Sequence, residues 1–203
     1  MKFYPIILAS QSPRRVQLLK QIGLQFKQIE PHINEVKRKN ESANLYVKRM
    51  AYEKGHEVLI RIKNRKVIII SADTIVISPQ GDILGKPKNK KEAFEMLKKM
   101  QGREHHVLTA YALLFRHKRL KSIVRCVKTK VKMTSISDSE IKNYIKSKEP
   151  LDKAGAYGAQ GKGGAYIETI RGSYTAVVGL PLAQLLKDLE NLLGDDYKKL
   201  FKN

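Results

Sequence analysis

The sequence predicts an α/β protein built on a mixed β-sheet with flanking helices. Three observations carry that expectation. The run VIIIS at 67–71 is continuously apolar and β-branched, as a central strand covered on both faces must be. Two long strand-like runs, 106–116 and 120–134, are joined by a tight His-Lys-Arg turn. Segments of helical period alternate with strands along the whole chain, with no internal repeat and no Pro/Ser-rich linker, so one domain over 1–203 is expected.

Taken in order, residues 4–10 read as a buried strand. In 13–22, PRRVQLLKQI, the residues Val16, Leu18, Leu19 and Ile22 fall near one helical face, and Gly23 stops the helix. Ser12 suits an N-cap and Pro13 the first helical position. FKQIE at 26–30 is a second short strand. Residues 42–63 form a long amphipathic helix opening near Ser42 and weakened in propensity by Gly55. The strand 67–71 resumes as TIVIS after Asp73, and QGD at 80–82 turns the chain. Asn89 with Glu92, and Ser137 with Glu140, are helix starts with an acid three residues on. A glycine-rich loop, DKAGAYGAQGKGG, covers 152–164. AYIETI and SYTAVVG flank Arg171-Gly172 as a predicted hairpin. A last helix starts at Pro181, and residues 194–203 form a tail expected to fray.

Composition narrows the function classes. Hydrophobic content of 42% and charged content of 29% suit a soluble globular chain. No run reaches the roughly 18 apolar residues of a membrane span, so no membrane insertion is expected. MKFYPIILAS runs straight into a strand pattern, unlike a signal peptide. Cys126 is the only cysteine, which excludes an internal disulfide and a cysteine-based metal cluster and suits a reducing cytoplasm. The net charge is +21, which permits nucleic acid, an anionic surface or anionic small molecules. The lysines are spread over the chain without an Arg-rich run or interleaved aromatics, so specific nucleic-acid binding is disfavoured.

Candidate chemistry begins in LASQSPRR at 8–15. A helix N-terminus is electropositive, so Arg14 and Arg15 in the first turn oppose the macrodipole unless an anion lies there. Amides and guanidiniums together suit a phosphate. Asp73 follows the apolar run IIIS, where a buried carboxylate needs a partner or a cation; it is a candidate base or metal ligand. Lys86 projects from a turn stiffened by Pro87, and Lys54 lies on the long helix. The loop 152–164 has neither a dinucleotide fingerprint nor a phosphate-loop ending. Its glycines allow close approach to a ligand, with Tyr157 as a stacking face and Gln160 as an amide edge.

In this order the pieces resemble the Maf family of nucleoside triphosphate pyrophosphatases. The matching stretches are LASQSPRRVQLL, INE at 33–35, YVKRMAYEK, SADTIV, ILGKP, EAFEMLKKMQGREHHVLTA, SDSEIKNYI, EPLDKAGAYGAQGKGGAYIETIRGSY and VVGLPL. The resemblance implies a fold like that of inosine triphosphatases, with a deep cleft between two lobes, and a homodimer. It implies hydrolysis of a nucleoside triphosphate to the monophosphate and pyrophosphate with a divalent cation, Mg²⁺, Mn²⁺ or Co²⁺. By motif, Asp73 is similar to the family's catalytic carboxylate and Glu35 to its metal-associated acid. Ser10, Arg14, Arg15, Lys54 and Lys86 resemble its phosphate-handling groups. Arg14, Thr74 and Gln160 fall on positions tied to substrate choice. Two schemes stay open: Asp73 as base for a water, or Asp73 and Glu35 orienting a hydroxide on a metal.

DKAGAYGAQG is similar to the branch acting on dTTP and UTP, and modified pyrimidine nucleotides are within its reach. A glutamine accepts from N3–H of thymine or uracil and donates to O4. The same amide, flipped, pairs with cytosine, so surrounding groups must hold it. The chain departs from the family pattern at Asn34, where Asp is common, at Gly55, where Ala is usual, and at Ala159, where a bulkier aliphatic stands. Two alternatives are weighed: a basic nucleic-acid-associating or septum-regulating protein without turnover, and a house-cleaning enzyme for purines such as ITP.

Overall fold

The computed structural model describes residues 4–63 and 66–201. Among them the strands form one mixed sheet with the order β2-β1-β3-β5-β6-β7, and β4 pairs with β3. The strands are β1 (Ile6–Ala9), β2 (Lys27–Ile29), β3 (Val67–Ile77), β4 (Ile83–Leu84), β5 (Glu104–Arg116), β6 (Leu120–Met133) and β7 (Ile167–Arg171). The helices are α1 (Pro13–Gln21), α2 (Ala43–Arg61), α3 (Lys90–Met100), α4 (Asp138–Lys146), α5 (Tyr174–Val178) and α6 (Leu182–Leu193). The mixed α/β class expected from the sequence is the class observed. No described helix is long and apolar enough to cross a membrane.

The chain divides into two compact units. The first comprises Met1–Asp73, Thr109–Cys126 and Gly179–Asn203; the second comprises Thr74–Leu108 and Val127–Val178. In the first, β1 is parallel to β2 and to β3, with Ile7 opposite Lys27 on one side and Ile69 on the other. Val67, Ile68, Ile69 and Ile70 are fully buried, which is why that run carries no polar alternation. Ile7, Ala9, Val58, Leu59, Val67, Ile69 and Leu114 form one core cluster. Asp188 on α6 is buried and fully engaged: Tyr111 donates to it at 2.7 Å, and Arg125 Nη2 donates at 2.8 Å.

In the second unit, β4 lies antiparallel on the end of β3, with Val76 opposite Leu84. The predicted turn at 80–82 is held by Ser78 Oγ, which accepts from the amides of Gln80 and Asp82. Asn89 caps α3 by accepting from the Glu92 amide, and Ser137 and Glu140 form the full capping box of α4. Both caps are as expected from their residue types.

Three expectations need correction. The segment after Gly172 is the helix α5, not the second strand of a hairpin. Gly172 has φ +126, and the Ser173 hydroxyl accepts from the Ala176 amide, so a local cap overrides the β-propensity of SYTAVV. Asp73 lies inside β3 rather than at its end. The tail is docked as far as it is described: Gly194–Leu200 is a 3₁₀ helix, Leu200 is buried, and Phe201 bridges Leu24. Residues 202 and 203 lie outside the described residues.

Candidate active site

The first unit gathers a cationic and acidic cluster from three regular elements. Asp73 is buried in β3, and its Oδ1 accepts from Lys54 Nζ at 2.7 Å. The same ammonium is 2.9 Å from Glu35 Oε2. Lys54 comes from the middle of α2, and two local features bring that helix down onto β3. Ser71, two residues before Asp73 and so on the same strand face, donates to the Ala51 carbonyl at 2.6 Å. Gly55, next to Lys54, has no side chain where a Cβ would lie 2.5 Å from Ser71 Oγ and 3.0 Å from Leu114 Cδ1. The glycine that weakens helix propensity is therefore a close-approach residue.

Glu35 is half-exposed, with a side chain 52% accessible, against 8% for Asp73. Its segment is clamped by α2. Tyr46 Oη donates to the Glu35 carbonyl at 3.0 Å, and Arg49 Nη2 donates to the Val36 carbonyl at 2.9 Å. Arg49 Nε donates to Glu41 at 2.6 Å, and this bond, with a further contribution from Glu53, outweighs burial and raises its pKa above the ordinary value. Burial, with the charges of Asp73 and Glu35, pushes the Tyr46 hydroxyl up to about 12, so it stays a neutral donor. Tyr46 and Arg49 were not singled out from the sequence. The i,i+4 pair of Arg49 and Glu53 was the available signal.

At the opening of α1, Ser12 is the N-cap and Pro13 the first helical residue, but the Ser12 side chain makes no cap bond. Ser10 Oγ instead accepts from the Ser12 amide at 3.1 Å and from Arg15 Nη1 at 3.2 Å. Arg15 is 9% exposed, and its Nε donates to the Gly179 carbonyl at 2.8 Å. Burial lowers its pKa, Asp73 and Glu35 oppose that, and Arg14 adds to it. These four charges therefore share one field. The predicted apolar face of α1 thus includes Arg15 with Leu18 and Leu19, while Val16 and Ile22 are only half-buried. Arg14 is half-buried and the first turn contains no acid.

The second unit holds the remaining candidates. Thr74 is half-buried in β3, on the strand face opposite Asp73. Lys86 is exposed just after β4, beside a buried Pro87. Its neighbour Gly85 accepts from the Gly155 amide at 3.0 Å, which ties the β4 exit to the glycine-rich segment. Tyr157 is 5% exposed, and its Oη lies 2.7 Å from His105 Nε2 with the rings edge-to-face. Its ring is a core element of this unit, which corrects the expected open stacking face. Gln160 is exposed. Glu149 and Tyr144, which bind the amides of Gly158, Lys162 and Gly163 around Gln160, were not singled out from the sequence, because an amide partner leaves no mark on residue type.

No three His, Cys, Asp or Glu residues converge as a metal site among the described residues. Glu35 and Asp73 nevertheless direct carboxylate oxygens at one ammonium. A hard divalent cation uses one or two carboxylates and takes its other oxygens from phosphates and water, so this pair fits such a cation.

A protein of Acetivibrio thermocellus named dTTP/UTP pyrophosphatase is 44% identical over 191 residues, 90% of this chain and 94% of the relative. A protein of the same name from Salmonella typhimurium is 45% identical over 196 residues, covering 96% of this chain and 97% of the relative. One from Dictyoglomus thermophilum is 44% identical over 190 residues, 93% of this chain and 96% of the relative. Residues 5–192, from the start of β1 almost to the end of α6, match the family profile described as Maf-like protein. By that span, and by relatives alike over nearly their whole length, the chain belongs to the Maf-like protein family.

Proposed function

We propose that the protein hydrolyses dTTP and UTP to the monophosphate and pyrophosphate. The observation that carries this is the buried Lys54–Asp73 pair at 2.7 Å, with Glu35 on the same ammonium and Arg15 in the same field. Relatives of 44–45% identity that bear the name dTTP/UTP pyrophosphatase support it. A triphosphate carries about four negative charges near neutrality, and cationic groups neutralise it. Ser10, Arg14, Arg15, Lys54 and Lys86 are assigned that task. Asp73 takes a proton from a water as that water's oxygen attacks the α-phosphorus. The bond from the α-phosphorus to the α–β bridging oxygen breaks, and pyrophosphate leaves with the electron pair. Glu35 and Asp73 would hold a divalent cation, which when bound supplies positive charge at the phosphate oxygens. Gln160 is assigned to the base, and Arg14 and Thr74 to substrate choice with it. A homodimer in solution and a cytoplasmic location accompany this proposal.

A panel of nucleoside triphosphates assayed with Mg²⁺, Mn²⁺ or Co²⁺ tests it, reading pyrophosphate and monophosphate. The expected result is kcat/KM highest for dTTP and UTP. Equal or better values for dGTP or ITP, or nucleotide binding without turnover, would overturn it.

A further inference from the structure

Gln160 stands in a four-residue turn, closed by the Gly161 amide donating to the Gly158 carbonyl at 3.3 Å. One flank of that turn is fastened to a carboxylate, and the other to the hydroxyl that this carboxylate holds. Glu149 Oε1 accepts from the Gly163 amide at 3.2 Å and from Tyr144 Oη at 2.8 Å, and Oε2 accepts from the Lys162 amide at 3.0 Å. On the other flank, the Gly158 amide donates to the same Tyr144 hydroxyl at 3.1 Å. The chain wraps so closely that a Cβ on Gly161 would lie 2.5 Å from both Glu149 oxygens. One on Gly158 would lie 3.0 Å from Oε1, and one on Gly163 would strike the Tyr144 hydroxyl. Gly161 has φ −110, an ordinary conformation, so what demands glycine there is the carboxylate and not the backbone.

We infer that Glu149 is a positioning residue for base choice: it holds the turn that carries Gln160 so that the amide serves thymine and uracil rather than cytosine. This rests on the proposal that Gln160 reads the base. Thymine and uracil need an acceptor opposite N3–H and a donor opposite O4, whereas cytosine needs the two reversed. A half-turn of the amide exchanges these pairings, so selection between them depends on how firmly the supporting backbone is fixed. Burial pushes the Glu149 carboxyl up, but the Tyr144 hydroxyl and the Lys162 and Gly163 amides outweigh it, leaving it below its ordinary value and ionised. A charged acceptor makes stronger bonds than a neutral one, and here they converge on the residues flanking Gln160.

The test compares the ratio of kcat/KM for dTTP over dCTP in the wild type, Gln160→Ala, Glu149→Gln and Gly161→Ala. Gln160→Ala is expected to collapse the ratio. Glu149→Gln and Gly161→Ala are each expected to lower it about tenfold, the scale of losing a bond to a charged group. In Glu149→Gln, amide hydrogen exchange at Lys162 and Gly163 should quicken. Folding is checked by thermal melting, and if Glu149→Gln does not fold, Gly161→Ala decides. Folded variants that keep the wild-type ratio while Gln160→Ala loses it overturn the role of Glu149 and leave that of Gln160 standing. A wild-type ratio in Gln160→Ala overturns the base-reading proposal and this inference with it.

Discussion

The surroundings of Asp73 and of Gln160 are built in opposite ways. Asp73 sits within a strand, Lys54 reaches it from the middle of a 19-residue helix, and Arg15 lies in the first turn of another. The strand around Asp73 and the helix interior around Lys54 satisfy their backbones by regular hydrogen bonding, so buried charges can be packed against them at low cost to the main chain. Gln160 lies between short 3₁₀ turns, Ala154–Ala156 and Lys162–Tyr166, in a stretch where Glu149 binds the amides of Lys162 and Gly163 and Tyr144 binds that of Gly158. On the proposed assignment, the contrast separates charge handling, which needs a stiff low-dielectric scaffold, from base choice, which a loop can alter without disturbing the scaffold.

The largest effect is expected at Asp73. Asp73→Asn keeps the shape of a residue buried beside Lys54 but removes the proton acceptor. The turnover of dTTP should fall by about 10²–10⁴-fold, the usual worth of a positioned base. Pyrophosphate release under saturating substrate measures it. A fall of the same size in Glu149→Gln would erase the distinction between the two regions.

The second effect belongs to the loop side and is one of stability with pH. His105 is 1% exposed and packs edge-to-face on Tyr157, and among the described residues its Nδ1 has no partner. Burial, with a smaller push from His106, lowers its pKa from 6.5 to about 4. The unfolded chain therefore binds a proton that the folded chain refuses between those two values. The associated stability is complete above pH 6.5 and is lost progressively as pH falls towards 4, by about 3 kcal/mol. Urea titrations at pH 7 and pH 4.5 should show most of that loss in the wild type and a clearly shallower one in His105→Phe. Parallel losses in the two proteins would mean that the ring does not remain neutral in the fold.

Gly155→Ala should cost less. Gly155 has φ +69, and its missing Cβ would meet Val76 Cγ2 at 2.9 Å and Val76 Cβ at 3.0 Å. Left-handed backbone and overpacking together predict a loss of roughly 2–3 kcal/mol, read as a lower urea midpoint at constant slope. A loss near zero would show that this turn is looser than the carboxylate-bound stretch that follows it.

Residue types made the stiff region legible and left the loop half-hidden. The β-branched run at 67–70, the caps at Ser42, Asn89 and Ser137, and the lone acid in SADT each carry a local physical signature. Glu149 carries none, because its partners are the amides of Lys162 and Gly163, and an amide has no identity in a sequence. For the same reason the glycines at 158, 161 and 163 suggested close approach to a ligand, whereas what approaches them is this chain's own side chains. The hairpin drawn through Gly172 failed where one serine hydroxyl outweighed a run of β-formers. Arg15 was read as a cation for phosphate, and its burial against Ser10 and Gly179 could not be seen without the neighbours that surround it.

Gly55→Ala is the smallest effect and the sharpest probe of how the stiff region is assembled. On propensity alone, alanine in mid-helix stabilises by up to about 1 kcal/mol. Against that, the new Cβ would stand 2.5 Å from Ser71 Oγ, and that oxygen is already committed to the Ala51 carbonyl at 2.6 Å. Ser71 must rotate away and abandon its bond, or α2 must rise from β3 and draw Lys54 off Asp73. A buried hydrogen bond and the crowding at Leu114 together cost about 2 kcal/mol, leaving a net loss of roughly 1 kcal/mol. Ser71→Ala in the same chain removes the obstructing oxygen, so the double variant should be more stable than the sum of the two single changes predicts. If Gly55→Ala instead gains the full propensity term, the helix was never held at its present height by that glycine.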